Sequence, residues 1–141
     1  MQHGYAGKFL QVDLTAGVCS DFTIDEARLK KFIGGSSLAA SLYLERFDLH
    51  ADPLSPENPL MLINGPMVGS GFPGSSRFAM ASKSPQTGIW GEAACGGNFG
   101  PELKRAGYDG IIIPGKSPNP VILSITNNHA EIASADHLWC N

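Results

Sequence analysis

Phe9-Leu10-Gln11-Val12-Asp13-Leu14, then Thr15-Ala16-Gly17, then Val18-Cys19-Ser20-Asp21-Phe22 is the stretch on which the fold turns. Past Leu10 its apolar and polar residues alternate, with the two-residue period of a half-buried strand. Thr15-Ala16-Gly17 reverses the chain, so the limb ending at Phe22 returns as the second strand of a hairpin. Thr23 and Glu26 stand at capping-box spacing and predict a helix from near Asp25, with Leu29, Phe32 and Ile33 on one face. Gly34-Gly35 ends or kinks that helix, and residues 37–47 resume a helical pattern with Leu38, Leu42 and Phe47 as core positions. The tail repeats the plan: Val121-Ile122-Leu123-Ser124-Ile125, a turn at Asn127-Asn128, Ala130-Glu131-Ile132, then Asp136-His137-Leu138-Trp139. The expected fold is therefore α+β: mixed β-sheets with an internally duplicated hairpin-plus-helix unit, its second copy incomplete.

Between the two hairpins, Asp52-Pro53-Leu54-Ser55-Pro56-Glu57-Asn58-Pro59 is a turn-rich connector. Leu60-Met61-Leu62-Ile63 and Gly110-Ile111-Ile112-Ile113 are apolar runs of buried-strand length. Residues 78–82 and 88–91 read as further strands. Asn98 stands where a cap would start a helix over residues 98–106, and Pro101 is tolerated in a first turn that needs no internal N–H partner. Phe99, Leu103 and Ala106 share a face of that helix. Lys104 and Arg105 favour its negative end, and Gly107 is a natural stop.

A chain of 141 residues with a net charge of −3 and 43% hydrophobic residues is expected to form one globular domain, residues 1–141. No apolar run is long enough to span a bilayer, and Met1-Gln2-His3-Gly4 opens without a secretion signal, so no membrane partner and a cytoplasmic address are expected. The three cysteines, Cys19, Cys95 and Cys140, are odd in number and show no CxxC spacing. That argues against a disulfide framework and against a self-contained zinc or iron–sulfur site. A mildly acidic chain without basic runs also excludes nucleic acid as the expected partner.

The chemistry concentrates in two glycine-rich loops. The first runs Gly65-Pro66-Met67-Val68-Gly69-Ser70-Gly71-Phe72-Pro73-Gly74-Ser75-Ser76-Arg77; the second is Cys95-Gly96-Gly97-Asn98-Phe99-Gly100. Residues 69–74 satisfy GxGxxG, but a dinucleotide site needs a helix starting at those glycines, and the residues after Arg77 read as strand. The second loop precedes a credible helix, whose free first amides can hold a phosphate. It serves equally as a tight strand-to-helix connection with nothing bound, and spacing alone leaves both open. Arg77 is either a solvent-facing arginine on an edge strand or a bidentate phosphate partner. Cys95 is expected to be a small buried residue rather than a nucleophile. His137 and Cys140 supply two potential ligands, short of a site, and His3, His50 and His129 stand apart. Glu92, Glu102 and Asp109 form no acid/base pair by spacing. The residues describe a binding platform for an anion, a phosphate or the phosphorylated part of a cofactor, without a catalytic set.

Four blocks carry a resemblance. Tyr5-Ala6-Gly7-Lys8-Phe9-Leu10-Gln11-Val12-Asp13-Leu14-Thr15, Asp52-Pro53-Leu54-Ser55-Pro56-Glu57-Asn58-Pro59-Leu60 and Lys83-Ser84-Pro85-Gln86-Thr87-Gly88 resemble the N-terminal domain of tungsten-dependent aldehyde ferredoxin oxidoreductases. So does the long block from Gly96 through Asn98, Glu102 and Asp109 to Ile113. The resemblance runs in register from near residue 4 to the end.

It implies an enzyme that oxidises small aldehydes to carboxylic acids at tungsten, or molybdenum in some relatives, held by two pterins. Electrons pass through a [4Fe-4S] cluster to ferredoxin, and the N-terminal domain is the base on which the pterins lie. By this resemblance Arg77 sits between a pterin and the cluster, and Ala94, Cys95, Gly96 and Gly97 form the cofactor-contacting segment. The Ala94 carbonyl helps bind a magnesium ion bridging the pterin phosphates. Ser36-Ser37 stand where relatives often carry Arg-Gly, and Ala94 where some carry asparagine. The cluster ligands and the acid/base residues lie beyond residue 141 in such enzymes. The chain is thus expected to be a cofactor-base fragment, inactive alone, whose partners include the remaining domains of a longer polypeptide. Two alternatives stand beside this reading. One is a family member with another substrate, aromatic thioesters included. The other is a stand-alone, non-catalytic binding or assembly module, whose unpaired hairpin and Trp139 favour a homo-oligomer.

Overall fold

The computed structural model describes residues 4–139, so His3 and Cys140 lie outside the described residues. The chain forms β1 (Phe9–Asp13), β2 (Val18–Phe22), α1 (Glu26–Phe32), α2 (Gly35–Arg46), β3 (Leu60–Asn64), β4 (Phe78–Lys83), β5 (Trp90–Cys95), α3 (Phe99–Arg105), β6 (Gly110–Ile113), β7 (Val121–Thr126) and β8 (His129–Ser134). A 3-10 turn, Asp136–Leu138, follows β8. Six strands make one mixed sheet in the order β2-β1-β6-β3-β4-β5, with β1 and β6 parallel, and β7–β8 is a separate hairpin. The fold is α+β. Among the described residues no helix is long and apolar enough to cross a membrane.

Alternation along the strands builds two cores. Phe9, Met61, Ile63, Ala81 and Ile112 face Leu29 of α1 and Leu38, Ala39, Leu42 and Tyr43 of α2. On the opposite face Leu10, Val12 and Ile111 meet Leu103 and Tyr108, flanked by Leu123, Ile125, Ala130 and Ile132 of the β7–β8 hairpin. β1 feeds both cores because successive side chains point to opposite faces. Asn127 (φ 48°) and Asn128 (φ 67°) make the left-handed turn that a two-residue hairpin loop demands.

Several local expectations change. Asp25, not Thr23, caps α1: it sits extended directly before the helix and accepts from the Arg28 N–H at 2.8 Å. Ile33 does not join the core face. Its φ of 62° and the 2.7 Å bond from Gly34 N–H to Phe32 O make a tight turn that leaves it 58% exposed. α2 starts at Gly35 rather than 37. The strand expected over 88–91 is β5, because Gly88 N–H to Ser84 O and Ser84 N–H to Ile89 O spend those residues on the hairpin turn. Asn98 holds the cap position of α3 without a side-chain cap bond.

Tyr108 fastens the second hairpin to the sheet. Its hydroxyl donates to Asp21 Oδ1 (3.0 Å), with Asn128 O (3.2 Å) as a second acceptor sharing the same proton, while Lys8 lies over its ring and 3.0 Å from Asp21. Burial first, then the Asp21 hydrogen bond and charge, push the Tyr108 phenol up, against an opposing pull from Lys8. A raised folded pKa contributes stability that is complete below the unfolded value of 10.0 and fades as pH climbs past it. Tyr108→Phe is therefore expected to cost about 1–2 kcal/mol near neutrality. The gap to wild type should narrow above about pH 10, as urea midpoints at the two pH values would show.

Candidate functional site

Both glycine-rich loops leave the same end of the β4–β5 hairpin. The first joins β3 to β4 and the second joins β5 to α3. The ladder ends at Phe78↔Cys95, so one step further out Arg77 stands across from Gly96. Ser76 Oγ lies 3.9 Å from where a Cβ on Gly96 would stand, and a Cβ on Gly97 (φ +93°) would meet nothing within 4 Å. The N–H groups of Gly96, Gly97 and Asn98 donate to no acceptor among the described residues. Arg77 is exposed, and its guanidinium forms no hydrogen bond or ion pair with them. Donors gathered without acceptors suit an anion.

A seam that sequence reasoning missed brings the loops together. Asn64, 1% exposed at the end of β3, donates from Nδ2 to Gly100 O at 3.0 Å. A Cβ on Gly100 would stand 2.9 Å from Asn64 Oδ1 and 3.1 Å from both Ser76 O and Val68 Cγ1. Only glycine lets the start of α3 close on the first loop there. The available signal was one polar residue ending the apolar run Leu60-Met61-Leu62-Ile63-Asn64. The rings of Phe78 and Phe99, 4.8 Å apart, pack the same junction.

The start of α2 is a second feature not anticipated. A Cβ on Gly34 would come within 2.6 Å of Asn64 O and 2.8 Å of Gly65 Cα, and one on Gly35 within 3.8 Å of Ala79 Cβ. Ala79 pairs with Ala94. This 12-residue helix has no side-chain cap and no acidic residue in its first turn, so its partial positive end, with Ser36 and Ser37, lies beside Ala79.

Cys95 is exposed, correcting the expectation of a buried side chain. β5 is the outer strand of the sheet, and Glu92, Ala93, Ala94 and Cys95 are all open to solvent. The Cys95 thiol donates to Gly96 O at 3.5 Å. The carboxylates go to structural partners: Glu102 pairs with Arg105, Glu92 accepts from Trp90 Nε1, and buried Asp109 pairs with Lys104. Among the described residues no three His, Cys, Asp or Glu side chains converge on a metal-sized site.

A family model described as "Aldehyde ferredoxin oxidoreductase, N-terminal domain" matches residues 9–141. The chain belongs to this family. It is 43% identical over 137 residues to the tungsten-containing aldehyde ferredoxin oxidoreductase of Thermococcus kodakarensis, covering 97% of this chain and 23% of that protein. The protein of the same name in Pyrococcus furiosus is 42% identical over 137 residues, with the same coverage. An "aliphatic sulfonate oxidoreductase, WOR-like subunit" of Pyrococcus furiosus is 40% identical over 97% of this chain and 22% of its own length. Among solved structures, the active site complex BamBC of benzoyl coenzyme A reductase with 1,5-dienoyl-CoA superposes with a TM-score of 0.94 at 38% identity. That match covers 98% of this chain and 21% of the other. The chain spans less than a quarter of the length of these relatives.

Proposed function

We propose that residues 1–141 form a single cofactor-base domain of a tungsten oxidoreductase that converts aldehydes to carboxylic acids and passes electrons through a [4Fe-4S] cluster to ferredoxin. One observation carries the reading: the unclaimed N–H groups at Gly96, Gly97 and Asn98 stand across from an unclaimed Arg77. The donor set fits a phosphorylated pterin, because it offers positive charge and peptide N–H groups with no carboxylate of its own committed there. When bound, the metal–pterin group supplies the two-electron redox chemistry. Gly96 and Gly97 hold its phosphate through their amides, assisted by Cys95 and the β5 edge. Arg77 adds a fixed cation beside the redox centre, which favours electron arrival. The Ala94 carbonyl would supply an oxygen ligand to a magnesium ion that neutralises phosphate charge there. The β7–β8 hairpin begins a second copy of the β1–β2 unit, completed by further domains that also supply the cluster ligands and proton-transfer residues. Alone, this chain does not turn over aldehydes.

Relatives named for aldehydes, an aliphatic sulfonate and an aromatic coenzyme A thioester share this platform. Substrate choice therefore lies outside it. A family member acting on another substrate would use the same base.

The test is tungsten, molybdenum and pterin analysis of the protein expressed from its complete native reading frame, beside Arg77→Ala. Losing a charge-assisted bidentate contact costs about 1.5–3 kcal/mol, so pterin should be held about ten- to a hundredfold less tightly. The metal's midpoint potential should fall, since removing a neighbouring cation disfavours reduction. Wild-type protein without pterin would end the proposal. Unchanged pterin content and potential in Arg77→Ala would remove Arg77 from the site.

A further inference from the structure

We infer that Lys104 is a positioning residue of this site: its buried ammonium, caged by backbone carbonyls, sets the loop that presents Arg77. The inference rests on the function proposed above. Lys104 was expected only as a basic residue favouring the negative end of α3; its side chain is 7% exposed. Its three N–H donors meet Gly4 O at 2.6 Å, Gly65 O at 2.8 Å and Asp109 Oδ1 at 3.2 Å, with Pro66 O at 3.4 Å as a longer fourth contact. Asp109, 1% exposed, turns its remaining capacity on the N-terminal segment and accepts from Ala6 N–H at 3.0 Å and Gly7 N–H at 2.7 Å. Burial pulls the Lys104 ammonium below the usual lysine range, and Asp109 works to keep it protonated.

The cage grips the root of the first glycine loop, and a chain of contacts leads from there to Arg77. Gly65 O also accepts from Val68 N–H. Gly69 lies against the Lys104 shaft, where a Cβ on it would be 3.7 Å from Lys104 Cβ. Gly69 N–H donates to Ser75 O at 3.3 Å, which ties the outgoing limb to the returning one two residues before Arg77. Ser76 O in turn packs on Gly100. The ammonium thus sits 27 positions away in sequence from the guanidinium it places, with one loop between them.

The experiment uses the protein from its complete native reading frame, purified with its metal and pterin. Its readout is the rate of pterin release on dilution. Lys104→Met combined with Asp109→Asn removes the tripod without leaving a lone buried charge, which keeps the fold tolerable. Pterin release should accelerate about tenfold, as a loosened Arg77 loses its contact. Tyr108→Phe, a destabilising change that frees the second hairpin from the sheet and removes no contact of the cage, should leave release unchanged, separating positioning from mere stability. In an Arg77→Ala background the double change should add less than about twofold, because both act through one contact. If the double variant does not accumulate, Gly4→Ala tests the same cage. Its Cβ, at φ +87°, would stand 2.6 Å from Pro66 O and push that carbonyl aside, so faster release is again expected. A wild type lacking pterin overturns the function itself. A pterin-loaded wild type with wild-type release in these variants, or full additivity with Arg77→Ala, overturns the positioning role alone.

Discussion

Asp109→Ala is expected to remove about 3–5 kcal/mol of folding stability, the usual consequence of deleting one partner of a buried ion pair. The carboxylate accepts from Ala6 and Gly7 N–H groups and neutralises Lys104 3.2 Å away, all where solvent barely reaches. Alanine leaves an ammonium buried without its counter-charge and two N–H groups without an acceptor. Against a typical total of about 5–15 kcal/mol, that loss brings the chain close to unfolding. The contrast is Lys30–Glu26, closer at 2.8 Å but with side chains 72% and 55% exposed. Glu26→Ala should change stability by no more than about 0.5 kcal/mol. Urea unfolding of both variants at neutral pH makes the comparison. A loss below about 1 kcal/mol for Asp109→Ala would mean that water replaces the carboxylate.

The same pair shows why part of this molecule was legible in its sequence and part was not. Periodicity located the first hairpin and α3, because burial of one face imposes it directly, and unbroken apolar runs located β3 and β6. Gly107 was read correctly as the stop after α3, and its φ of +97° explains why glycine stands there. Cap choice was less legible. Thr23 and Asp25 are both capable, and only the extended backbone at Asp25 lets its carboxylate reach Arg28 N–H. Lys104 and Arg105 looked alike as basic residues at a helix end. One packs under the first loop and the other pairs with Glu102 in solvent, a difference set by which helix face meets Gly65 and Gly69.

The candidate site divides in the same way. Its loops were conspicuous by their glycines, but their meeting depends on the strand order β3-β4-β5, which no local pattern encodes. The exposure of Cys95 follows from β5 being an edge, and Asn64 became visible as a bridge only once β3 and α3 were side by side.

Gly100→Ala should damage the site through that bridge. In the first turn of α3 alanine is intrinsically the better helix former, by about 0.8–1.0 kcal/mol. The added Cβ, however, would stand 2.9 Å from Asn64 Oδ1 and 3.1 Å from Ser76 O, inside ordinary contact distance. Asn64 is buried and already committed through Nδ2 to Gly100 O, so it has little room to yield, and Ser76 O is backbone. Overpacking of this kind costs about 1–3 kcal/mol, which outweighs the propensity gain in the upper part of that range. The strain is relieved by spreading the two loops, which moves Arg77 away from Gly96. Expected results are a stability loss of about 1–2 kcal/mol in urea and a pterin-release rate close to that of Arg77→Ala. A chain made more stable by about the propensity difference, with pterin release unchanged, would show that the loops meet more loosely than these distances require.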